Sequence, residues 1–299
     1  ATRISAVSEW PPIAEQELLD RLALDDEAFA AYLLAFIDRV PPRAYEAAAF
    51  ALACGYPWER PVGSYLLTDA DAELLADRPE AERERVLERF SGPRSGRLPL
   101  LAFGSNAAPA TLERKFAHFA DAADRTVLAL TGRRHEFDVG ASAHPALYGA
   151  LPATLFPSPG TAVRTTLLWV TPAQFTQLTW SELSYRLGRL RTRFAVADDG
   201  AASFEEVLVF VSRWGAFCVD GEPVALAAVP ARGRTAAALT QEQVLDAAAA
   251  LVLGPGATAE TLVRAVYEDF PRIAPTLAQM VHKVSLPFAS ERWTPYAPL

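Results

Sequence analysis

The chain is poor in the residues that build disulfides, metal centres and polyanion-binding surfaces. Its 299 residues hold two cysteines, Cys54 and Cys218, both in apolar settings without a partner motif. The count allows one disulfide, but two free buried thiols are the expectation, and that fits a reducing cytoplasm. The four histidines, His118, His135, His144 and His282, lack His-x-x-x-His spacing and have no cysteine pair beside them, so no metal site is expected. Only Lys115 and Lys283 are lysines, and the net charge is −8. That balance argues against a general nucleic-acid surface, while a local basic patch stays open. No stretch of roughly 20 apolar residues is present, so no membrane span is expected. The segment Ala1 to Pro12 lacks the basic-then-apolar pattern of a signal peptide. Internal repeats and low-complexity tracts are absent too.

What remains is the composition of a soluble globular protein, 51% hydrophobic and 21% charged, long enough for one large domain or two. It divides into three zones. Residues 1–92 read as helical: Ile13, Leu18, Leu19 and Leu22 recur at helical spacing, as do Phe29, Leu33, Phe36 and Ile37. Pro41-Pro42 ends the second helix, Arg43 to Cys54 reads as a third, and Asp69 to Ala76 and Pro79 to Phe90 as two more. Ser91 to Gly96 is a linker. From 97 to 228 the period shortens, with strand-like runs at Leu98–Phe103, Thr126–Thr131, Thr165–Val170, Thr192–Val196 and Glu206–Val211. Turns are expected at Pro157 to Gly160 and Asp198 to Gly200. From 239 to 299 helical patterning returns, interrupted at Gly254-Pro-Gly256, and it can pack on the N-terminal region.

Two segments of the middle zone carry chemistry. Leu98 to Asn106 runs an apolar strand into Gly-Ser-Asn, whose backbone N–H groups can hold an anion or a polarised carbonyl oxygen. The alternative for so turn-prone a tripeptide is a plain strand-ending turn, and the site is preferred because a helix starting near Pro109 favours anions there. Leu178 to Tyr185 sets Glu182 among apolar neighbours, as an acid or base of raised pKa or as an ion-pair partner of Arg186 or Arg189. Arg189, Arg191 and Arg193 alternate on one strand face, either attracting an acidic substrate or forming the solvated face of an edge strand. Tyr148, Trp180 and Tyr185 read as pocket walls or as core. Ser105 has no Gly-x-Ser-x-Gly context, which disfavours a serine hydrolase.

The order of short motifs over residues 97–215 resembles the gamma-glutamylcyclotransferase-like family. Phe103-Gly-Ser-Asn106 stands where that family has Tyr-Gly-Ser-Asn, and Leu130 to Phe137 matches its Gly-Tyr-Arg-like strand. Leu151-Pro-Ala-Thr-Leu-Phe-Pro157 matches Ala-Thr-Leu-x-Pro, and Leu178-Thr-Trp-Ser-Glu182 matches Leu-Asp-x-x-Glu. Tyr185 and Arg186 fill the places of an aromatic and a basic residue after the acid. Phe103 replaces the usual tyrosine and Thr179 the usual aspartate.

The resemblance implies an α+β fold, a mixed β-barrel over 97–228 flanked by N- and C-terminal helical segments. It implies a small-molecule gamma-glutamyl substrate, cyclised with release of 5-oxoproline without metal or cofactor. Glu182 would be the general acid and base, and Phe103, Gly104, Ser105, Asn106, Tyr185 and Arg186 would bind substrate. The alternative is a non-catalytic binding or interaction module, with helices of residues 13–90 or 239–299 filling or covering the cleft.

Overall fold

Caps and breakers set the helix ends. The structure, a computed structural model, describes residues 10–296 except 12, 70, 93 and 197–202, with backbone only at 192, 193, 203 and 204. The expected turn at Asp198 to Gly200 therefore lies outside the described residues, as does the side chain of Arg193. Helix α1 (Gln16–Leu22) is followed by α2 (Asp26–Ile37), whose N-cap Asp25 accepts the Ala28 N–H at 2.8 Å. Helix α3 (Ala47–Cys54) begins four residues later than expected, and α4 (Glu80–Ser91) is the acidic and basic helix seen in the sequence.

Between α3 and α4 the sequence expectation is corrected. Asp69 to Ala76 is not helical. It contains strand β2 (Ala72–Leu74), paired with β1 (Tyr65–Leu67), and then a single 3-10 turn. The connecting turn closes through the Thr68 N–H on the Asp71 carbonyl at 3.0 Å. Strand β1 buries all three residues and pairs with the central sheet, Tyr65 opposite Ala129. That long-range pairing outweighs the weak helical pattern.

The central zone supplies β3 (Leu98–Ala102), α5 (Pro109–Phe116), the short α6 (Ala122–Arg125), β4 (Val127–Ala141) and β5 (Ala153–Val170). Next come α7 (Pro172–Ser181), β6 (Tyr185–Val196), β7 (Ser203–Ser212) and β8 (Ala216–Val219). Four two-residue strands follow: β9 (Glu222–Pro223), β10 (Ala225–Leu226), β11 (Ala231–Arg232) and β12 (Ala238–Leu239). Pro157 to Gly160 is not a turn between strands. It is a bulge inside β5, for Phe137 of β4 stands opposite both Pro157 and Ala162.

The C-terminal zone folds as α8 (Gln241–Leu253), α9 (Ala259–Glu268), α10 (Phe270–His282), β13 (Ser285–Leu286) and β14 (Trp293–Pro295). Thr240 and Thr258 open α8 and α9 with capping boxes.

Among the described residues, eleven strands form one mixed sheet along the path β11-β5-β3-β7-β6-β4-β1-β2, with β10, β12 and β14 attached. The α+β class is as expected, but the barrel is corrected. It is instead a larger mixed sheet, folded over by pairing of β4 with both β5 and β6, with β11 and β2 as open edges. Strand β6 lies between β7 and β4 and is not the edge strand the sequence allowed. Both faces are covered. In β3, Leu101 joins the core under α8, α9 and α10, whereas Leu100 and Ala102 join the core under α1, α5 and α7. That double burial explains the unbroken apolar run. Helix α3 packs on α8 and α9, and α2 packs on α10. Among the described residues no helix is long and apolar enough to cross a membrane.

Candidate functional site

Strand β3 and helix α7 deliver the two motif segments to one cavity of about 1100 Å³. Helix α7 is pinned at its start by a Thr171–Gln174 capping box and by Pro172 in the first turn. Phe175 and Leu178 bury in the core. Glu182, seven residues after Phe175, leaves the helix end on that same inward face. Thr179, at the aspartate position of the resemblance, is buried and its hydroxyl donates to the Phe175 carbonyl at 2.8 Å. Its hydroxyl is thus satisfied within the helix, and it does not line the cavity.

On the other side, β3 ends at Ala102, just before Phe103, and a 3-10 turn over Ser105–Ala107 leads into α5. Asn106 Nδ2 donates to Glu182 Oε1 at 2.9 Å. Lys115, in the last turn of α5, donates to Asn106 Oδ1 at 2.7 Å and Ser181 Oγ at 2.8 Å, and lies 3.5 Å from Glu182 Oε1. Lysine only donates and an ionised carboxylate only accepts, so this network orients the Asn106 amide. Burial pushes the Lys115 ammonium below the usual lysine range, with the Glu182 carboxylate opposing the shift. The ion-pair alternative for Glu182 is thus corrected in its partner, which is Lys115 and not Arg186 or Arg189. All these bonds fall on Oε1, which leaves Oε2 without a protein partner among the described residues.

Phe103, Gly104, Ser105, Asn106, Glu182 and Tyr185 all line the cavity. Arg186 does not. As its strand neighbour Tyr185 turns toward the cavity, Arg186 points the other way and pairs with Asp26 at the start of α2. Arg213 shares that aspartate at 3.2 Å, so the two arginines tie α2 to the sheet. Arg189 stacks 4.1 Å over Trp10, and Arg191 is exposed. Tyr148 and Trp180 are cavity walls.

Three further cavity residues went unassigned in the sequence. Tyr56, just after α3, accepts the Ala153 N–H at 2.8 Å, and the Ser105 N–H also acts on its oxygen. Burial raises its phenol above the usual range, against the pull of those N–H groups. A Cβ on Gly104 would come within 2.4 Å of this hydroxyl, which accounts for glycine there. Lys115 had a signal, as one of two lysines and nine residues after Asn106. His144 had none. Its Nδ1 lies 2.6 Å from Ser142 Oγ, which is 2.6 Å from Ser212 Oγ. Burial pushes its imidazole down to about 3, so the ring is neutral at neutral pH. Tyr185 packs edge-on to that ring, and its hydroxyl donates to the Ala153 carbonyl at 2.9 Å. The two cysteines are free thiols, and no metal-binding cluster occurs among the described residues.

No family model and no curated protein matches this chain. Among solved structures, it is similar to one described as gamma-glutamyl cyclotransferase, with 14% identity and a TM-score of 0.29, over 39% of this chain and 66% of that one. It is also similar to an uncharacterized protein from Homo sapiens, with 15% identity and a TM-score of 0.27, over 39% of this chain and 67% of that one. The chain thus spans about two thirds of each of these proteins. Likeness this slight carries no argument about chemistry, and the site is read from its own geometry.

Proposed function

We propose that the protein cleaves a gamma-glutamyl amide by intramolecular cyclisation, releasing 5-oxoproline, with Glu182 as the general acid and base. The observation that carries this reading is the Asn106–Lys115–Glu182 network on the wall of a large cavity, with Oε2 of the acid left open. The motif order of the sequence supports it as well.

The substrate's α-ammonium gives a proton to Glu182, and the freed amine attacks its own γ-carbonyl carbon. Ring closure makes a C–N bond and drives the carbonyl electrons onto oxygen. When the carbonyl re-forms, the bond to the leaving amine breaks: Glu182 returns the proton to that nitrogen and then takes the second proton of the ring nitrogen, which the departing amine carries away as an ammonium. Both reacting groups belong to one molecule, so the site's task is to fold the substrate and move the proton. Lys115 and Asn106 hold Oε1 so that Oε2 meets the amine. The Tyr56 hydroxyl, fixed as acceptor by the Ala153 N–H, turns its hydrogen to the developing oxyanion. It supplies from the N-terminal region the hydroxyl that Phe103 lacks.

Mass-spectrometric detection of 5-oxoproline from a panel of gamma-glutamyl compounds tests the reading, with wild type beside Glu182→Gln. Release lost by at least about 100-fold in the variant supports it. Equal release from both proteins overturns the role of Glu182.

One observation favours a second reading, a non-catalytic binding module. The Tyr56 hydroxyl already accepts the backbone N–H of Ala153, a donor that a substrate oxygen would otherwise use. Ligand binding without 5-oxoproline release from any compound would favour it.

A further inference from the structure

The cavity is much longer than its polar end. At about 1100 Å³ it matches or exceeds pockets that bury a drug-sized ligand, about 300–1,000 Å³. Beyond Glu182 its walls are α2 and α10. The α2 wall is formed by Phe29, Ala30, Leu33, Leu34, Phe36 and Ile37, with Tyr32 the one side chain there bearing a polar atom. On α10 the wall includes Phe270, Ala274, Pro275 and Ala278 beside the uncharged polar Thr276 and Gln279, and its one titratable group is His282, whose Nδ1 lies 3.0 Å from the Trp214 carbonyl. Neither helix presents a carboxylate, lysine or arginine to the cavity. The mouth is apolar too: Leu34, Phe36 and Leu147 line the cavity and stay 45%, 47% and 39% exposed. Three of the eight large apolar side chains this exposed among the described residues therefore gather at one opening.

Resting on the cyclisation reading, we infer that the leaving amine of the substrate carries an uncharged apolar chain, seated between α2 and α10. The glutamyl head takes the polar end, where Lys115, Arg114, Asn106 and Glu182 are found. An amino-acid leaving group would bring a second carboxylate against walls that offer it no lysine or arginine, and an unpaired charge there is costly. An alkylamine brings methylenes to a surface that is otherwise left in water, worth about 0.8 kcal/mol, or about fourfold in affinity, per buried methylene.

Calorimetric titration of γ-glutamyl ethylamide, butylamide and hexylamide, beside γ-glutamylglycine, tests this. Glu182→Gln protein is used so that turnover does not consume the ligand, and the readout is the slope of affinity with chain length. Affinity should rise about fourfold per methylene, with γ-glutamylglycine weaker than the butylamide. Phe36→Asp, at a half-exposed rim position, should flatten the slope while its melting curve stays cooperative. A flat slope in the parent, or tighter binding of γ-glutamylglycine, overturns the inference. The 5-oxoproline assay on wild type is scored separately: a rising slope without release supports the apolar seat and overturns the cyclisation reading.

Discussion

The two ends of the cavity are built in opposite ways. At the polar end, Asn106, Lys115, Ser181 and Glu182 interlock through bonds of 2.7 to 3.5 Å, and one displaced side chain disturbs all of them. At the apolar end α2 and α10 contribute surface, and no single contact dominates. Hydrogen bonds are directional and set a geometry, whereas apolar burial scales with area and tolerates change. The polar end is therefore suited to a defined reaction coordinate, and the apolar end to recognising a class of ligand. The ion pairs of Asp26 with Arg186 and Arg213 join the two by holding α2 over the sheet.

The contrast breaks most sharply at Glu182. Glu182→Gln should lower 5-oxoproline release by at least about 100-fold with no loss of folded protein by circular dichroism. A fall of less than threefold would dissolve the special status of the polar end. Next is Gly104→Ala, which drives a Cβ to 2.4 Å from the Tyr56 hydroxyl and should cost about 1–3 kcal/mol in urea unfolding. Tyr56→Phe should cost about 1–3 kcal/mol on its own, by leaving the buried Ala153 N–H unpaired. In the double variant the glycine penalty should shrink, and simple additivity would show that the two do not meet.

A gentler effect is expected from His144. Its folded-state value of about 3 lies below the ordinary 6.5, so between these the unfolded chain binds more protons. Its contribution is thus complete above pH 6.5 and is lost as pH falls toward 3. From pH 6.5 to 5 that amounts to about 2 kcal/mol, and His144→Gln should remove this part of the pH dependence in urea melts. Smallest of all is Arg186→Ala. With its side chain on Asp26 and outside the cavity, it should change stability by about 1 kcal/mol or less and turnover by less than about threefold. A large rise in KM would return Arg186 to the list of substrate-binding residues.

Much of the fold was legible because its signals are local. Asp25 caps the start of α2, and Pro41-Pro42, read as its end, follows it closely. The apolar run before Gly104 is a strand buried on both faces, and its turn meets Glu182 through Asn106. Arg186 misled because adjacency to Tyr185 in a strand means opposite faces. Residues 69–76 misled because their pattern is weak and their partner β1 is held in place by β4, which lies more than 50 residues away.

By itself, then, the sequence determined the α+β class, several helix boundaries, and the two segments that meet at Asn106 and Glu182, since caps, breakers and short-range periodicity act over a few residues. Only the tertiary structure decided that Lys115 is the partner of Glu182, that Tyr56 brings its hydroxyl to the loop, and that α2 and α10 wall the cavity. Those contacts join segments separated by tens to hundreds of residues, and the chain selects them by burying apolar area as a whole, a quantity no local window contains.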